Sequence, residues 1–240
     1  MSRALNRKLD YVEGRPLEFS FAAFAENFDT HIRQSIRGYD DLISDCLSLS
    51  TYFVDDETTV LDLGCSAGTF LKRVKDVNVS RAPHSSYVGV EIEERFSVHW
   101  QPTAGLRYSL SDIRSFEFPC NCSFVTSIFS LQFISENERQ TILEKIYACL
   151  LPGAGFVLTE KTLSPCSKLQ DMMTSLHYDF KREHFSEGEI LSKEKSLRSL
   201  MKPWTETKIK SSLREAGFQT SKIQCFWKNH NFVGLIALKN

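Results

Sequence analysis

Three short segments carry residues whose types and spacing could do chemistry together. The first is Val60-Leu61-Asp62-Leu63-Gly64-Cys65-Ser66-Ala67-Gly68. An apolar run enters a turn with a glycine at each end, and a helical pattern follows. Gly64 lets the backbone come near a ligand, and Gly68 lets the next helix start without a Cβ in the way. Amides at such a turn bind polar groups, and Asp62 can accept from an ammonium or from ordered water. The second segment, Tyr87-Val88-Gly89-Val90, closes on Glu91, 27 positions after Gly64. A carboxylate at that strand end can accept both hydroxyls of a ribose. The third is Ser111-Asp112-Ile113. Asp112 can bond an exocyclic amine, and Ile113 can pack on an adenine ring. Taken singly, these are also an ordinary tight turn, a solvated acid and a loop aspartate. Their order along the chain is what a nucleoside ligand needs.

The loop spacing differs from the dinucleotide fingerprint Gly-x-Gly-x-x-Gly. It matches the Asp/Glu-x-Gly-x-Gly type of loop in enzymes that bind S-adenosylmethionine, with Ser66 in the middle place. Other groups assemble into nothing. Pro119-Cys120-Asn121-Cys122 has no second Cys/His pair at matching spacing, so no metal is expected. His31, His177 and His184 fall in helical segments and read as surface or packing histidines. Lys181, Arg182, Lys193, Lys195, Arg198 and Lys202 are interleaved with Glu183, Glu187, Glu189 and Glu194. That mixture predicts a solvated face.

The elements that position these residues alternate. Strands are predicted at 59–63, 86–90, 106–110, 123–129 and 156–159. Helices are predicted from residue 21 to about 36, at 40–53, and from Thr69. A strong helix covers 136–150, with Ser135 as N-cap and Pro152-Gly153 as the stop. Helices at 166–181, 186–201 and 206–216 precede a hairpin at 220–227 and 232–238. The pattern implies an α/β, Rossmann-like class I methyltransferase fold. Its seven-stranded, mostly parallel sheet would end in a C-terminal antiparallel hairpin. Residues 1–20 read as a flexible arm, and 21–240 as one domain with a helical insertion at about 164–201.

Composition bounds the rest. A chain of 240 residues can bury a full core without disulfides. The formal net charge of -1 gives no global reason to bind nucleic acid or a membrane. No apolar run reaches the roughly 18 residues of a membrane span. The N-terminal residues lack a signal peptide's apolar core, so a cytoplasmic protein is expected. Seven scattered cysteines fit reduced thiols there.

From about Phe24 to Lys239 the chain resembles a particular family, the bacterial carboxy-S-adenosylmethionine synthases. The resemblance is carried by IRQSIRGYDDLIS, VLDLGCSAG, SLQFISENERQTILEKIYACLLPGAGFVLTEK, HYDFKREHFSEGEI, LREAGF and GLIALK. It implies a homodimer on the class I fold that converts S-adenosylmethionine and prephenate into carboxy-S-adenosylmethionine, used in tRNA wobble-uridine modification. It implies ligand contacts at Tyr39, at Gly64, Cys65 and Ser66, and at Asp112 and Ile113. Glu91 and Ile92 stand where the family has Asp-Asn. Two positions depart further. Ile128 replaces a ligand-binding Asn, and Glu194 replaces the Arg that pairs with the added carboxylate. At about 4 Å and an effective dielectric near 20, exchanging that attraction for repulsion involves roughly 4 kcal/mol for each term. Lys193 or Lys195, turned inward, would restore the charge.

The two departures favour a methyltransferase diverged from the synthases, acting on an unnamed small molecule without direct nucleic-acid binding. Genuine synthesis of carboxy-S-adenosylmethionine is the alternative, and a non-catalytic S-adenosylmethionine-binding protein is a third. Tyr39 could cover the methyl group. Tyr39 and Arg182 are the candidates for catalysis or carboxylate handling.

Overall fold

Neighbouring residues of a strand face opposite ways, and all five residues of Thr59–Leu63 are buried. A strand buried on both faces belongs in the middle of a helix-covered sheet. The computed structural model, which describes residues 28–240, puts this strand, β1, there. Val60 packs with Leu42, Leu71, Val74 and Phe124. Leu61 and Leu63 pack on the other face with Ile142, Ile146, Leu213 and Phe218.

Around β1 lie α1 (Phe28–Ser35), α2 (Tyr39–Phe53), α3 (Thr69–Asn78), β2 (Ser86–Glu91), β3 (Leu106–Leu110) and β4 (Cys122–Ile128). Then come α4 (Glu136–Cys149), β5 (Leu150–Leu163), α5 (Ser167–Arg182), α6 (Glu187–Leu197), β6 (Trp204–Thr205) and α7 (Glu206–Glu215). The hairpin of β7 (Ile223–Asn229) and β8 (Phe232–Leu238) completes the order. The sheet runs β3-β2-β1-β4-β5-β8-β7. Strands β1 to β5 pair in parallel, and β8 lies antiparallel to both β5 and β7. This is the expected fold with one addition: β6 pairs with β5 at Thr162 and Leu163, making eight strands.

Several boundaries differ from the sequence reading. β5 spans Leu150–Leu163 rather than 156–159. Its first half holds Pro152 and Gly153, where pairing with β4 shifts register and Gly153 has φ +80°. Such a bulge hides a strand from composition. α6 stops at Leu197, with its start fixed by a Ser186/Glu189 capping box. The segment at about 164–201, expected as a helical insertion, contains α5 and α6. The expected arm at 1–20 and the helix start near residue 21 lie outside the described residues. No helix among those described is long and apolar enough to cross a membrane.

β1 has β2 on one side and β4 on the other. The chain therefore leaves its carboxyl end in one direction and returns from the other. A crevice forms at such a switch point, and the carboxyl ends of β1, β2, β4 and β5 edge it.

Candidate functional site

The loop after β1 is held by backbone geometry. The amides of Gly64 and Cys65 both donate to the Val90 carbonyl, at 2.8 and 3.1 Å. Gly64 has φ +81°, and a Cβ there would lie 2.0 Å from Ser130 Oγ. So the close approach that requires glycine is to Ser130, on the β4 side. Gly68, φ +78°, begins α3, and a Cβ there would strike the Tyr108 ring at 2.5 Å. Tyr108 stacks on Trp100, with ring centres 5.2 Å apart, and Trp100 Nε1 donates to the Ser66 carbonyl at 2.9 Å. These aromatics brace the loop from below. Sequence reasoning missed Trp100, Tyr108 and Ser130, and no spacing rule would have picked them.

A cavity of about 670 Å³ opens at the switch point, a size usual for small-molecule sites. It brings together Gly64, Ser66, Glu91, Ile92, Asp112, Ile113 and Ile128 of the expected site. A smaller neighbouring pocket of about 50 Å³ is lined by Tyr39, Asp62 and Cys65, and shares Gly64, Ser66 and Ile128. Gly68 lines neither and acts through α3. Asp62 is buried and accepts from Thr126 Oγ1 at 2.7 Å; burial pushes its carboxyl up to about 7. Burial raises the Tyr39 hydroxyl well above its ordinary value, so it stays protonated.

Glu91 is heavily used within the fold. Its carboxylate accepts the amides of Ser66 (2.9 Å), Ile92 (2.8 Å) and Glu93 (2.9 Å). About four lone-pair directions exist on a carboxylate, so roughly one remains for a ligand hydroxyl unless the turn relaxes. Asp112 is likewise engaged. Arg114 meets both its oxygens at 2.5 to 3.0 Å and reaches Glu138 at 3.2 Å, and the guanidinium holds Asp112 below the usual carboxylate range. Acceptors at Glu91 and Asp112 flanked by Ile92 and Ile113 suit a nucleoside: polar edges, apolar ring faces. The residues present therefore fit the adenosyl part of S-adenosylmethionine.

The opposite end of the cavity is built from side chains. Lys161 comes from the end of β5, His177 and Lys181 from α5, Lys193 and Glu194 from α6, and His31 from α1. α5 is turned inside out. Its buried residues are His177 and Lys181, 6% and 7% exposed, while Leu169, Met172 and Leu176 are 42%, 50% and 45% exposed. The expectation of a solvated face is thereby corrected at Lys181 and Lys193; of the two readings of His177, surface or packing, its burial against Phe232 agrees with packing, and it also lines the cavity. Burial and neighbouring cations push His177 down to about 3, and burial with Lys193 and Lys181 pushes His31 down to about 4. Burial, then Lys181, lowers Lys193 to about 7. Lys161 and Lys181 are lowered mainly by burial, with Glu194 opposing. Lys193 Nζ lies against His31 Nε2. Lys195 is exposed.

Arg182, expected to handle carboxylates, is turned away. It sits one residue, about 100° of helix turn, from Lys181. It is spent on Asp179 at 2.6 Å and Glu187 at 3.3 Å. No group of three metal-binding side chains occurs among the described residues.

Comparisons with known proteins agree with this architecture. A family described as a methyltransferase domain matches residues 60–153. A carboxy-S-adenosyl-L-methionine synthase of Salmonella paratyphi B is 36% identical over 225 residues, covering 90% of this chain and 88% of that protein. One of Staphylococcus epidermidis is 29% identical over 230 residues, 93% of this chain and 98% of that protein. Among solved structures, the complex between a Haloferax volcanii Trm112 methyltransferase activator and a putative methyltransferase superposes with a TM-score of 0.62 at 13% identity. It covers 91% of this chain and 97% of that one, a likeness of fold alone.

Proposed function

The chain belongs to the carboxy-S-adenosyl-L-methionine synthase family, transferases that use S-adenosylmethionine, and from that premise we propose that it makes carboxy-S-adenosylmethionine, with lysines standing in for the family's arginine. The observation that carries this reading is the side-chain end of the cavity, which Lys161, Lys181 and Lys193 line together with Glu194. With its lysines protonated, that end carries three positive charges against the one negative charge of Glu194. A carboxylate entering it restores each lysine towards its charged state and is held by charge-assisted bonds.

In this assignment Glu91 takes a ribose hydroxyl, Asp112 the adenine amine, and Ile92 and Ile113 the ring faces. Gly64, Cys65, Ser66 and Gly68 shape the turn. Tyr39, Asp62 and Ile128 border the reacting end. S-adenosylmethionine supplies the carbon next to a sulfonium. The protein then positions the second substrate beside that carbon, with water excluded by Phe129, Phe133 and Phe232 of the cavity wall. Prephenate, a small dicarboxylate, suits the lysines. On this reading the product serves wobble-uridine modification of tRNA elsewhere in the cytoplasm, and this chain binds no RNA. A second copy of the chain covering Leu169, Met172 and Leu176 would be the homodimer.

Methyl transfer is the second reading. Glu194 and Ile128, the two departures from the family, both line the cavity. Mass spectrometry of the protein incubated with S-adenosylmethionine and prephenate separates the two. A carboxylated sulfonium is expected. S-adenosylhomocysteine without it would move the assignment to methyl transfer, and an absent adenosyl ligand would leave binding unsupported.

A further inference from the structure

We propose that the imidazole of His177 hydrogen-bonds the second substrate directly, reading an uncharged hydroxyl or keto oxygen beside a lysine-held carboxylate. The assignment rests on the reading above of which end of the cavity receives that substrate.

His177 lines the cavity and is 94% removed from solvent, since only 6% of it is exposed. Neither ring nitrogen has a hydrogen-bond partner among the described residues, and Nδ1 is a buried polar atom left unpaired. Buried polar atoms are rarely left so, and the cost is recovered when a partner arrives. The ring is nevertheless well placed. Phe232 meets it edge-on with centres 5.1 Å apart, and Lys161 pairs with Phe232 across β5 and β8. Lys181 lies one turn further along α5, on the same face.

The surroundings decide what the ring can offer. Lys161, Lys181, Lys193 and His230 all act against its protonation. A ring kept neutral has one donor and one acceptor. It adds no charge to a site already rich in lysines. It can instead tell a hydroxy or oxo acid from a plain carboxylate. His31 differs, because its ring already meets Lys193. No metal role competes, since no cluster of three ligands occurs among the described residues.

The test uses the full chain with 15N-labelled histidine, saturated with S-adenosylhomocysteine. Prephenate, malate and succinate are then added separately, with binding followed by calorimetry. Prephenate or malate should bind and move the His177 ring resonances; succinate, lacking the extra oxygen, should move them less. His177→Phe should weaken binding of the hydroxy acid by roughly five- to tenfold, the cost of one neutral hydrogen bond. His177→Asn or His177→Gln, which place an amide near one nitrogen or the other, should recover part of it. Affinity for S-adenosylmethionine should change less than about twofold in all three, since the ring lies at the other end. The inference is overturned if none of the acids binds, if one binds with the resonances unmoved, or if neither amide improves on Phe. If malate moves His177 but prephenate yields no carboxylated product, the proposed reaction fails while the His177 contact stands.

Discussion

The two ends of the cavity are made differently. The end at β1 and β2 is backbone held in place: two glycines with positive φ, amides on one carbonyl, amides on one carboxylate. The end at α5 and α6 is side chains from four elements, most of them charged. Two helices make the same contrast. α4 buries Ile142, Leu143 and Ile146 and acts as a core helix, whereas α5 buries a histidine and a lysine and shows its leucines outward. Burial in α5 follows from what the cavity needs, not from hydrophobicity. Backbone sites constrain residue types along the sequence. Side-chain sites constrain only where charges meet in space.

Variants that silence one end alone would test this division. Gly64→Val should have the largest effect, because it forces both a strained φ and a clash with Ser130. Each costs about 1–3 kcal/mol locally. S-adenosylmethionine binding should fall by about a hundredfold in calorimetry while the circular dichroism of the fold persists. Retained affinity would mean that the loop does not shape this site.

Lys193→Ala should do the reverse. Affinity for carboxy-S-adenosylmethionine should drop by about 2–3 kcal/mol, as for a charged hydrogen bond, with S-adenosylmethionine binding little changed. Glu194→Arg should shift preference towards the carboxylated ligand by a similar amount, and Lys195→Ala should shift nothing. Equal changes for both ligands in parallel titrations would erase the distinction between the two ends.

Glu91→Ala should weaken S-adenosylmethionine by about 1–3 kcal/mol, partly through the Ser66, Ile92 and Glu93 amides it leaves unpaired. An unchanged affinity in a folded variant would remove Glu91 from the ligand.

The smallest effect is on stability. His177 has a folded pKa near 3 against about 6.5 when unfolded. Below pH 6.5 the unfolded chain takes a proton that the folded one refuses, so this contribution is lost as pH falls from 6.5 towards 3. The slope approaches ~1.4 kcal/mol per pH unit. Asp62 near 7 and Glu160 near 8 act in the opposite sense, losing stability as pH rises. The whole curve therefore mixes signs, and a difference curve isolates the histidine. Between pH 7 and 5, His177→Asn should lose about 1–2 kcal/mol less than the parent in urea unfolding. Parallel curves would place the ring in a wetter setting.

Legibility in the sequence divides along the same line. β1 and β8 could be read to the residue, because their runs are apolar and partly β-branched; β3, Leu-Arg-Tyr-Ser-Leu, has no such run and carries only a weak signal. β6 could not, since two residues carry no period. The glycine turn could be placed because close backbone packing permits few residue types, and Glu91 and Asp112 because each follows a strand behind it in order; Gly64, Glu91 and Asp112 all line the cavity. Lys181 and Lys193 could not be placed, because a lysine among acidic residues on a helix looks the same whether it faces water or a ligand. Arg182 and Lys181 make the point: adjacent and alike in charge, yet only Lys181 lines the cavity.

α5 has one more consequence. Its inner face, with His177 and Lys181 as its buried residues, gains little from apolar burial, so a ligand on the lysines and, on the proposed dimer, a cover over Leu169, Met172 and Leu176 would both steady it. An element gripped from two sides couples them. If one occupant raises the other's affinity, the reverse holds by the same factor, because linkage is reciprocal. Where the cover is a second copy, apparent ligand affinity rises with protein concentration.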